Sequence, residues 1–472
     1  MYFKQFFLGC LSHASYLIAD EESKEAVVVD PQRDIDQYLA EAAQHGFSIK
    51  YVLLTHFHAD FLAGHLEFRE KLGSTIMIGA QGAAEYECAP CHDGHSIELG
   101  KKVRLQFMET PGHTPESISI LVFDIEKSSD APWAVLTGDT LFVGDVGRPD
   151  LLASEGYSSE QLAEMLWNSL QNKLMKLPDE TLVYPAHGAG SMCGKNIGKE
   201  SFTTIGHQRK FNVSLQAKTK EEFIENVCTC QSEAPSYFTM NATLNKQEHQ
   251  VLDEHLNKAL KAISIDELLD LRSQNVQVLD TRSPSDFAKG HLRGSTSIGL
   301  GGNYATWAGT VLDHTRPIII IANPGAEQEA AVRLGRIGYD NVVGYVDGGA
   351  TAFLFRQELV EKTARVTAPE LNKLLQSDPN VLVIDVRNTG EWNEKHIDGA
   401  LNFPLNKLRQ QIAEIPKDRR LILHCLGGYR SMIAASILEE SGFTGLTDLV
   451  GGINAWTEAA LPVVRPSAAC AG

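Results

Sequence analysis

The sequence predicts a multidomain protein that combines α/β and α+β folds. Its length of 472 residues is enough for about three domains. The second half contains one segment twice, and each copy alternates helical stretches with apolar, β-branched ones. The first half contains apolar, β-rich runs that end in loops with histidine or aspartate. We therefore expect one larger N-terminal domain followed by two copies of a smaller one.

The composition is that of an ordinary globular protein, with 43% hydrophobic and 22% charged residues. The net charge of −18 opposes binding to nucleic acid or to an anionic membrane, and no apolar run approaches the roughly 20 residues of a membrane span. The N-terminus lacks a small-residue cleavage site, so we expect no signal peptide. Eight cysteines are too few for a dense disulfide framework. These features predict a cytoplasmic protein with neither nucleic-acid nor membrane partners.

The repeat sets the domain boundaries. The segments "VLDTRSPSDFAKGHLRGS" and "VIDVRNTGEWNEKHIDGA" match in a constant register, so that Asp280 and Arg282 correspond to Asp385 and Arg387. A polar helical segment precedes the first copy, and we interpret it as a linker. The predicted domains are residues 1–245, a linker over 246–261, a first copy over 262–362 and a second copy over 363–472.

Each copy is predicted to be an α/β domain. The helical stretches "SIDELLDLRSQ" and "TAPELNKLLQS" lead to the apolar strands "VQVLD" and "VLVIDV", and a further strand and helix follow. This alternation favours a mainly parallel sheet covered on both faces. Sites in such sheets form outside the carboxyl ends of the strands, which is where the segment "LILHC" puts Cys425.

The first half places metal-binding side chains at the ends of predicted strands. They occur in "YVLLTHFHAD", "ETPGHTPESISI", "AVLTGDTLF" and "TLVYPAHGAG". Loops at strand ends can aim several side chains at one point. The sequence therefore predicts a metal site drawn from His56, His58, Asp60, His113, Asp139 and His187.

These motifs resemble the metallo-β-lactamase superfamily, which implies an αββα sandwich with the metal at the edges of the sheets. The family's pattern continues His-x-His-x-Asp with another histidine, but this chain has Phe61 there. A phenyl ring deletes a ligand of the second metal and dries the pocket, which disfavours a two-metal hydrolase. Two histidines and one carboxylate with open positions are instead typical of non-haem Fe(II) oxygenases.

Within the superfamily, the segments "TPGHTPES", "TGDTLFVGDVGRPD" and "YPAHGAG" resemble the persulfide dioxygenases. The resemblance implies one Fe(II) per chain, held by His56, His113 and Asp139. It also implies a surrounding set that orients waters and ligands, namely His58, Asp60 and His187. Direct coordination of the metal by His58 is left open.

Two further residues near this site have open roles. Arg148, in "GDVGRPD", is expected to bind a substrate carboxylate through paired hydrogen bonds, and its alternative role is a structural ion pair with Asp145 or Asp150. Cys193, in "GAGSMCGKNIG", is a candidate accessory thiol. The alternative for Cys193 is a small buried apolar side chain.

The segment "HCLGGYRS" runs from the end of a strand into a helix. Its glycines let backbone N–H groups turn inward at the positive end of the helix dipole. With Arg430 nearby, that field should stabilise a thiolate or persulfide anion on Cys425. The motifs "DVR", "HIDGA" and "GGINAW" resemble the paired rhodanese sulfurtransferases. The resemblance implies that Cys425 carries sulfane sulfur and that Gly427, Gly428 and Arg430 bind the substrate.

The first copy departs from this pattern. Its matching loop "IANPGAEQ" has Ile321 or Ala322 at the position of the cysteine and Glu327 near that of the arginine. Without a thiol it cannot carry sulfur. We therefore expect residues 262–362 to form an inactive copy that packs against the active one or lines a passage between sites.

Together these features predict a bifunctional enzyme of sulfide detoxification, and we expect it to be a homo-oligomer. Its partners would be a low-molecular-weight thiol persulfide, O₂, sulfite and thiosulfate, and the persulfide's thiol is left open. Fusion of two sites keeps the product of one at high effective concentration for the other. One alternative is a zinc-dependent thioester hydrolase resembling hydroxyacylglutathione hydrolase, fused to a rhodanese. Another is a non-catalytic sulfur carrier or persulfide sensor.

Overall fold

The computed structural model describes residues 1–151, 156–229, 231 and 233–465. The chain divides into two compact units, residues 1–252 with 335–338, and residues 253–334 with 339–472. The division after Leu252 lies inside the predicted linker, and the end of the predicted second copy, 466–472, lies outside the described residues. Among the described residues, no helix is both long and apolar enough to span a membrane.

Two six-stranded sheets form the centre of the first unit. The first sheet has its strands in chain order: β1 Tyr2–Leu8, β2 His13–Ala19, β3 Glu25–Val29, β4 Ser48–Leu53, β5 Thr75–Gly79 and β6 Ala89–Cys91. The second has the order β12-β11-β10-β9-β8-β7: β7 Ser96–Leu99, β8 Val103–Glu109, β9 Ile118–Asp124, β10 Ala134–Gly138, β11 Leu182–Pro185 and β12 Thr203–Thr204.

The two sheets pack face to face, and helices cover their outer faces. Along β9 the side chains alternate: Ile120 and Val122 enter the core between the sheets, whereas Leu121 and Phe123 pack against the helical layer. On the other side, the hydroxyl groups of Ser15 and Tyr38 lie 2.6 Å apart and join β2 to α1. The helices of the first unit are α1 Asp36–His45, α2 His65–Leu72, α3 Ser159–Asn172, α4 Ile205–Phe211, α5 Lys220–Cys228 and α6 Tyr237–Leu244. The next helix, α7 Leu252–Ala259, lies in the second unit apart from its first residue.

The second unit contains two similar parallel sheets, as the repeat predicts. Their strand orders are β13-β18-β17-β14-β16 and β20-β24-β23-β21-β22, and a separate pair joins β15 to β19. The strands are β13 Ala262–Ile263, β14 Gln277–Asp280, β15 His291–Leu292, β16 Thr296–Ser297, β17 Ile318–Ile321, β18 Val342–Val346, β19 Val360–Glu361, β20 Ala364–Val366, β21 Val381–Asp385, β22 Leu401–Asn402, β23 Arg420–His424 and β24 Thr447–Leu449.

Helices connect the parallel strands in both copies. In the first copy they are α8 Ile265–Arg272, α9 Pro284–Lys289, α10 Tyr304–Val311 and α11 Glu327–Gly335; in the second they are α12 Ala368–Ser377, α13 Thr389–Glu394, α14 Leu408–Gln411, α15 Arg430–Glu440 and α16 Gly452–Glu458. The predicted combination of α/β and α+β domains is thereby confirmed.

The repeated Asp-x-Arg motif has the same structural role in both copies. Asp385 ends β21, and its carboxylate accepts hydrogen bonds from the backbone N–H and the guanidinium of Arg387. Asp280 and Arg282 make the same bonds after β14. All four side chains are buried. The pairing satisfies each buried charge and orders the loop that follows the strand.

Candidate metal centre and cysteine loop

Three of the predicted metal-binding residues converge in the first unit. His56 follows β4, His113 follows β8 and Asp139 directly follows β10, and all three are buried. One donor atom of each lies within 4.8 Å of the others. Asp139 Oδ2 is 3.5 Å from His113 Nε2 and 3.8 Å from His56 Nε2. Two imidazoles and one carboxylate that face one point fit a mononuclear non-haem iron.

Hydrogen bonds leave the Nε2 atoms of both histidines available to a metal. The Thr55 hydroxyl donates to Asp30, so its oxygen can accept a hydrogen bond from His56 Nδ1, which lies 3.0 Å away. His113 Nδ1 donates to the Arg148 carbonyl oxygen at 2.9 Å. Burial lowers the pKa of both imidazoles, that of His56 to well below its usual value, so both rings are neutral. Each therefore presents an unprotonated Nε2, the state that binds a metal.

His187 lies between two carboxylates. Its Nδ1 is 2.7 Å from Asp139 Oδ1 and its Nε2 is 2.9 Å from Asp60 Oδ2. Burial alone lowers the pKa of His187, but Asp139 and Asp60 outweigh it and raise the pKa well above its usual value. Burial conversely raises the pKa of Asp139, and His187 is the main group that holds it well below its usual value. The His187 imidazolium thus holds Asp139 with its Oδ2 facing His56 and His113.

His58 lies outside the three-residue donor group. Its Nε2 is 3.1 Å from Asp30 Oδ1 rather than beside Asp139. The fully buried Phe61 ring lies against it, with 4.4 Å between the ring centroids, and 4.2 Å from the ring of His13. Phe61 therefore places an apolar wall among the histidines. The sequence left coordination of the metal by His58 open, and this geometry gives no support to it.

Cys193 also lies at this site. With Asp60 and His187 it forms a second group of potential donors whose atoms lie within 4.8 Å of one another. Burial, followed by the charges of Asp139 and Asp60, raises the pKa of the Cys193 thiol well above its usual value. Cys193 therefore carries a protonated thiol. Within this group, the two ring nitrogens of His187 are already hydrogen-bonded to the carboxylates of Asp139 and Asp60.

The structure favours the alternative role for Arg148. Its Nε and Nη2 donate to the two carboxylate oxygens of Asp150 at 2.6 and 2.7 Å, and Nη1 donates to the Met192 carbonyl at 3.0 Å. The side chain is 1% exposed. Its backbone accepts the His113 hydrogen bond and donates to the Cys193 carbonyl. Arg148 therefore positions the His113 ring and the following loop, while a direct contact with substrate remains a prediction.

Sequence reasoning missed two residues that shape the histidine loop. Asp30 directly follows β3, which pairs with β4, and its carboxylate accepts hydrogen bonds from the backbone and hydroxyl of Thr55 at 2.7 and 2.8 Å. Asn245 donates to the carbonyl oxygens of His58 and Phe61 and accepts from the Ala63 N–H. The segment "EAVVVDP" is a signal for Asp30, because it puts an acid at a strand end. Asn245 has no such signal.

His13 was also missed. It begins β2, its Nε2 is 2.8 Å from the Asp30 carbonyl, and its ring centroid is 5.3 Å from that of His187. Burial, then the charges of His187 and His58, lowers the pKa of His13 to about 3. The ring is therefore a neutral part of the wall that surrounds the donor residues.

The second site is the loop that follows β23. Cys425 is 1% exposed, and the Gly428 N–H donates to its Sγ at 3.1 Å. Gly428 has φ 95°, a conformation that favours glycine. The helix α15 begins at Arg430, so the sulfur faces the positive end of a helix dipole. This arrangement stabilises negative charge on a sulfur atom.

Arg430 makes a bidentate pair with Glu391, at 2.6 and 2.8 Å. Burial alone lowers the pKa of Arg430, but Glu391 raises it above its usual value, so the side chain keeps its charge. Gly427 has open space beside its Cα. The pair with Glu391 holds the guanidinium close to the loop, and contact of Arg430 and Gly427 with substrate remains a prediction.

The first copy has no thiol at the matching position. Ala322 directly follows β17 as Cys425 follows β23. Its carbonyl oxygen lies close to Gly349, as that of Cys425 lies close to Gly452. Ala322, rather than Ile321, is therefore the counterpart of the cysteine. The Gly325 N–H donates to the Glu327 carboxylate at 2.8 Å. In this copy, a side chain of the protein itself therefore accepts the hydrogen bond of a loop N–H.

Comparison with protein families assigns both halves of the chain. Residues 8–87 match the metallo-beta-lactamase superfamily, and residues 264–355 and 367–459 each match the rhodanese-like domain. A metallo-beta-lactamase structure from Staphylococcus aureus is 30% identical, covers 73% of this chain and 98% of its own, and superposes with a TM-score of 0.65.

Three curated proteins are similar to parts of the chain. The mitochondrial persulfide dioxygenase ETHE1 of Bos taurus is 30% identical over 45% of this chain and 74% of its own length. The cytoplasmic hydroxyacylglutathione hydrolase of Arabidopsis thaliana is 35% identical over 39% and 67%. A sulfurtransferase of Allochromatium vinosum is 34% identical over 21% and 94%. The metallo-beta-lactamase domain has persulfide dioxygenase homologues, and two tandem rhodanese-like domains follow it. The chain therefore belongs to the metallo-beta-lactamase superfamily.

Proposed function

We propose that the protein is a bifunctional persulfide dioxygenase and sulfurtransferase. One domain oxidises a low-molecular-weight thiol persulfide to sulfite with O₂, and the second rhodanese-like copy transfers sulfane sulfur through Cys425 to form thiosulfate. The observation that carries the proposal is the buried His56, His113 and Asp139 group with Phe61 packed among the neighbouring histidines. Its biological role would be sulfide detoxification.

Iron fits the donor group because two neutral imidazoles and one carboxylate face one point. When bound, one Fe(II) per chain would supply open positions for O₂ and for a persulfide sulfur, and would pass electrons from that sulfur to O₂. The chain's own residues orient this group. Thr55 and the Arg148 carbonyl hold the two rings, and His187 holds the carboxylate of Asp139. Phe61 and the neutral ring of His13 keep one side of the pocket uncharged.

The proposed oxidation balances with water as co-reactant. A persulfide RSSH, O₂ and one water give the thiol RSH, sulfite and two protons. The S–S bond breaks, the terminal sulfur is oxidised, and dioxygen is reduced. Both atoms of dioxygen and the oxygen of water end in sulfite, and the inner sulfur leaves as the thiol.

The proposed transfer runs through Cys425 and changes no net oxidation state. The Cys425 thiolate attacks the terminal sulfur of a second persulfide and releases its thiol. The resulting cysteine persulfide faces the Gly428 N–H and the start of α15, which stabilise its charge. Sulfite then attacks the terminal sulfur, thiosulfate leaves, and the thiolate is restored. Production of sulfite within the same chain raises its effective concentration at the second site.

The test is an oxygen-electrode assay on enzyme purified without air, across persulfides of glutathione, coenzyme A and a small neutral thiol. The expected result is oxygen uptake with sulfite from the first site, thiosulfate when Cys425 is intact, and one iron per chain. A zinc pair with no oxygen uptake on any persulfide would refute the proposal. Oxygen uptake also excludes a passive sulfur carrier.

The second candidate is a zinc-dependent thioester hydrolase fused to a rhodanese. Its support is the 35% identity to a hydroxyacylglutathione hydrolase. Phe61 weighs against it, because a two-metal hydrolase uses both ions to make hydroxide and to polarise the carbonyl. The hydrogen bonds of His187 to both Asp60 and Asp139 also weigh against it. Cleavage of a glutathione thioester by the zinc-loaded protein would favour this candidate.

A further inference from the structure

A third cluster of potential metal-binding side chains lies in the second unit, away from both proposed active sites. It consists of His291, Glu361 and Glu439, each of which offers one donor atom within 4.8 Å of the others. His291 and Glu361 stand directly opposite each other in the β15–β19 pair. Glu439 lies near the end of α15, the helix that starts at the cysteine loop. The cluster therefore joins the two rhodanese-like copies.

Two buried atoms in this cluster have unmet bonding capacity. His291 is fully buried, its ring stacks on Phe287 at 3.7 Å, and its Nδ1 donates to the Phe287 carbonyl at 2.9 Å. Its Nε2 lies 3.2 Å from Glu439 Oε2. Neither atom has a hydrogen-bond partner among the described residues. Buried polar atoms left in this state are costly, and one cation bound between them would satisfy both.

The distances suit a divalent transition metal. Because Nδ1 donates to the Phe287 carbonyl, the Nε2 atom of His291 is the one that is available to a metal. In a tetrahedral zinc site, bonds of about 2.0 to 2.2 Å put neighbouring ligand atoms about 3.4 Å apart. The separation of Nε2 and Oε2 is 3.2 Å. We infer that His291, Glu361 and Glu439 form a zinc site between the two rhodanese-like copies.

The surrounding contacts are compatible with this assignment. The Thr363 hydroxyl donates to Glu439 Oε1 at 3.0 Å and so leaves Oε2 to face His291. Arg293 lies 3.3 Å from Glu361, but the two side chains are 61% and 36% exposed. Such exposed pairs contribute little, so a metal can compete for the carboxylate. Three protein donors leave a fourth position for water.

The second copy provides an internal comparison. His396 occupies the corresponding motif, stacks on Trp392 at 3.8 Å, and its Nδ1 donates to the Trp392 carbonyl at 3.0 Å. Opposite His396 stands Val464, where Glu361 stands opposite His291. The stacked histidine is therefore a shared structural feature of the motif. The carboxylates that convert it into a metal site are Glu361 of the first copy and Glu439 of the second, and both face His291.

The test measures zinc binding to the full-length, iron-loaded chain by competition with a chromophoric chelator, with iron and zinc counted separately. The expected result is one more zinc per chain in the wild type than in His291→Gln or Glu361→Gln, with affinity lowered at least about tenfold in both. His396→Gln is the matched control and should keep the zinc. Because the iron centre is the same in all four proteins, zinc bound there does not affect the difference.

Thermal unfolding provides a second measurement. Zinc should raise the Tm of the wild type and of His396→Gln but not that of His291→Gln or Glu361→Gln, because an ion that binds the folded state stabilises it. If the buried His291→Gln variant does not fold, the half-exposed Glu361→Gln variant decides the result. Equal zinc content and equal Tm shifts in wild type and Glu361→Gln would overturn the inference and leave a protonated His291–Glu439 ion pair.

Discussion

The Tyr429 hydroxyl donates a 2.6 Å hydrogen bond to the backbone carbonyl of Gly299. Tyr429 belongs to the cysteine loop of the second rhodanese-like copy, and Gly299 belongs to the first copy. A Cβ atom on Gly302 would overlap the Tyr429 ring. Burial raises the pKa of Tyr429 well above its usual value, so the hydroxyl remains a donor. The copy that lacks a thiol thus supports the loop that carries Cys425, which gives its "GLGG" segment a structural role.

We expect Tyr429→Phe to slow sulfur transfer severalfold and to leave oxygen uptake unchanged. The change removes one buried hydrogen bond, worth about 1 kcal/mol, and loosens the loop around Cys425. Thiosulfate formation and oxygen uptake should be measured on the same preparation. Tyr339→Phe is the control, because the Tyr339 hydroxyl also donates to a carbonyl, that of Leu312, within the first copy. Equal losses of sulfur transfer in both variants would indicate a general loss of stability instead.

Cys425→Ser should abolish thiosulfate formation while sulfite continues to form with normal oxygen uptake. Serine retains the size and hydrogen bonding of the side chain but cannot form a persulfide. Ion chromatography of sulfite and thiosulfate measures both products. Cys88→Ser is a suitable control because Cys88 lies on neither site. Loss of oxygen uptake in Cys425→Ser would contradict two separable sites.

Asp139→Asn should lose iron and oxygen uptake, while sulfur transfer from thiosulfate survives. The amide removes the charge that His187 holds in place and that faces His56 and His113. Because outer partners of metal ligands alone account for about 10- to 100-fold in affinity, we expect a larger loss than that. Iron content per chain and oxygen uptake are the measurements. A variant that keeps full iron would exclude Asp139 as a ligand.

Phe61→His should increase the number of metals bound per chain. The new imidazole would stand beside His58 and near the Asp60, His187 and Cys193 group, and a two-metal site needs such a ligand. Metal analysis after equilibration with zinc gives the stoichiometry. Phe61→Leu is the control for lost aromatic packing. An unchanged stoichiometry in Phe61→His would contradict our explanation of why the chain has phenylalanine there.

Arg148→Gln distinguishes the two roles that the sequence left open for Arg148. Loss of the paired bonds to Asp150 should lower the free energy of unfolding by about 2 kcal/mol. If Arg148 only positions His113, the fall in oxygen uptake should be similar for glutathione persulfide and for the persulfide of a neutral thiol. A KM increase confined to the carboxylate-bearing substrate would instead support direct binding. Chemical unfolding and KM for both substrates are the measurements.

The sequence by itself determined the order of the domains and the positions of the candidate site residues along the chain. Strand-end positions, the repeat register and the missing thiol of the first copy are local properties, because they depend on neighbouring residues and on patterns within one segment. The structure confirms the parallel sheets that this patterning predicts. It also shows that Ala322, which directly follows β17, is the counterpart of Cys425, which directly follows β23.

Tertiary structure decided which of the predicted residues act together. One donor group consists of His56, His113 and Asp139, and another of Asp60, His187 and Cys193. The order of these residues along the sequence does not show which group each belongs to. The pairing of Tyr429 with Gly299 likewise joins residues that are far apart in the chain. Such choices depend on side-chain directions and on distances of a few ångströms between distant segments, and those are set only when the sheets and helices pack.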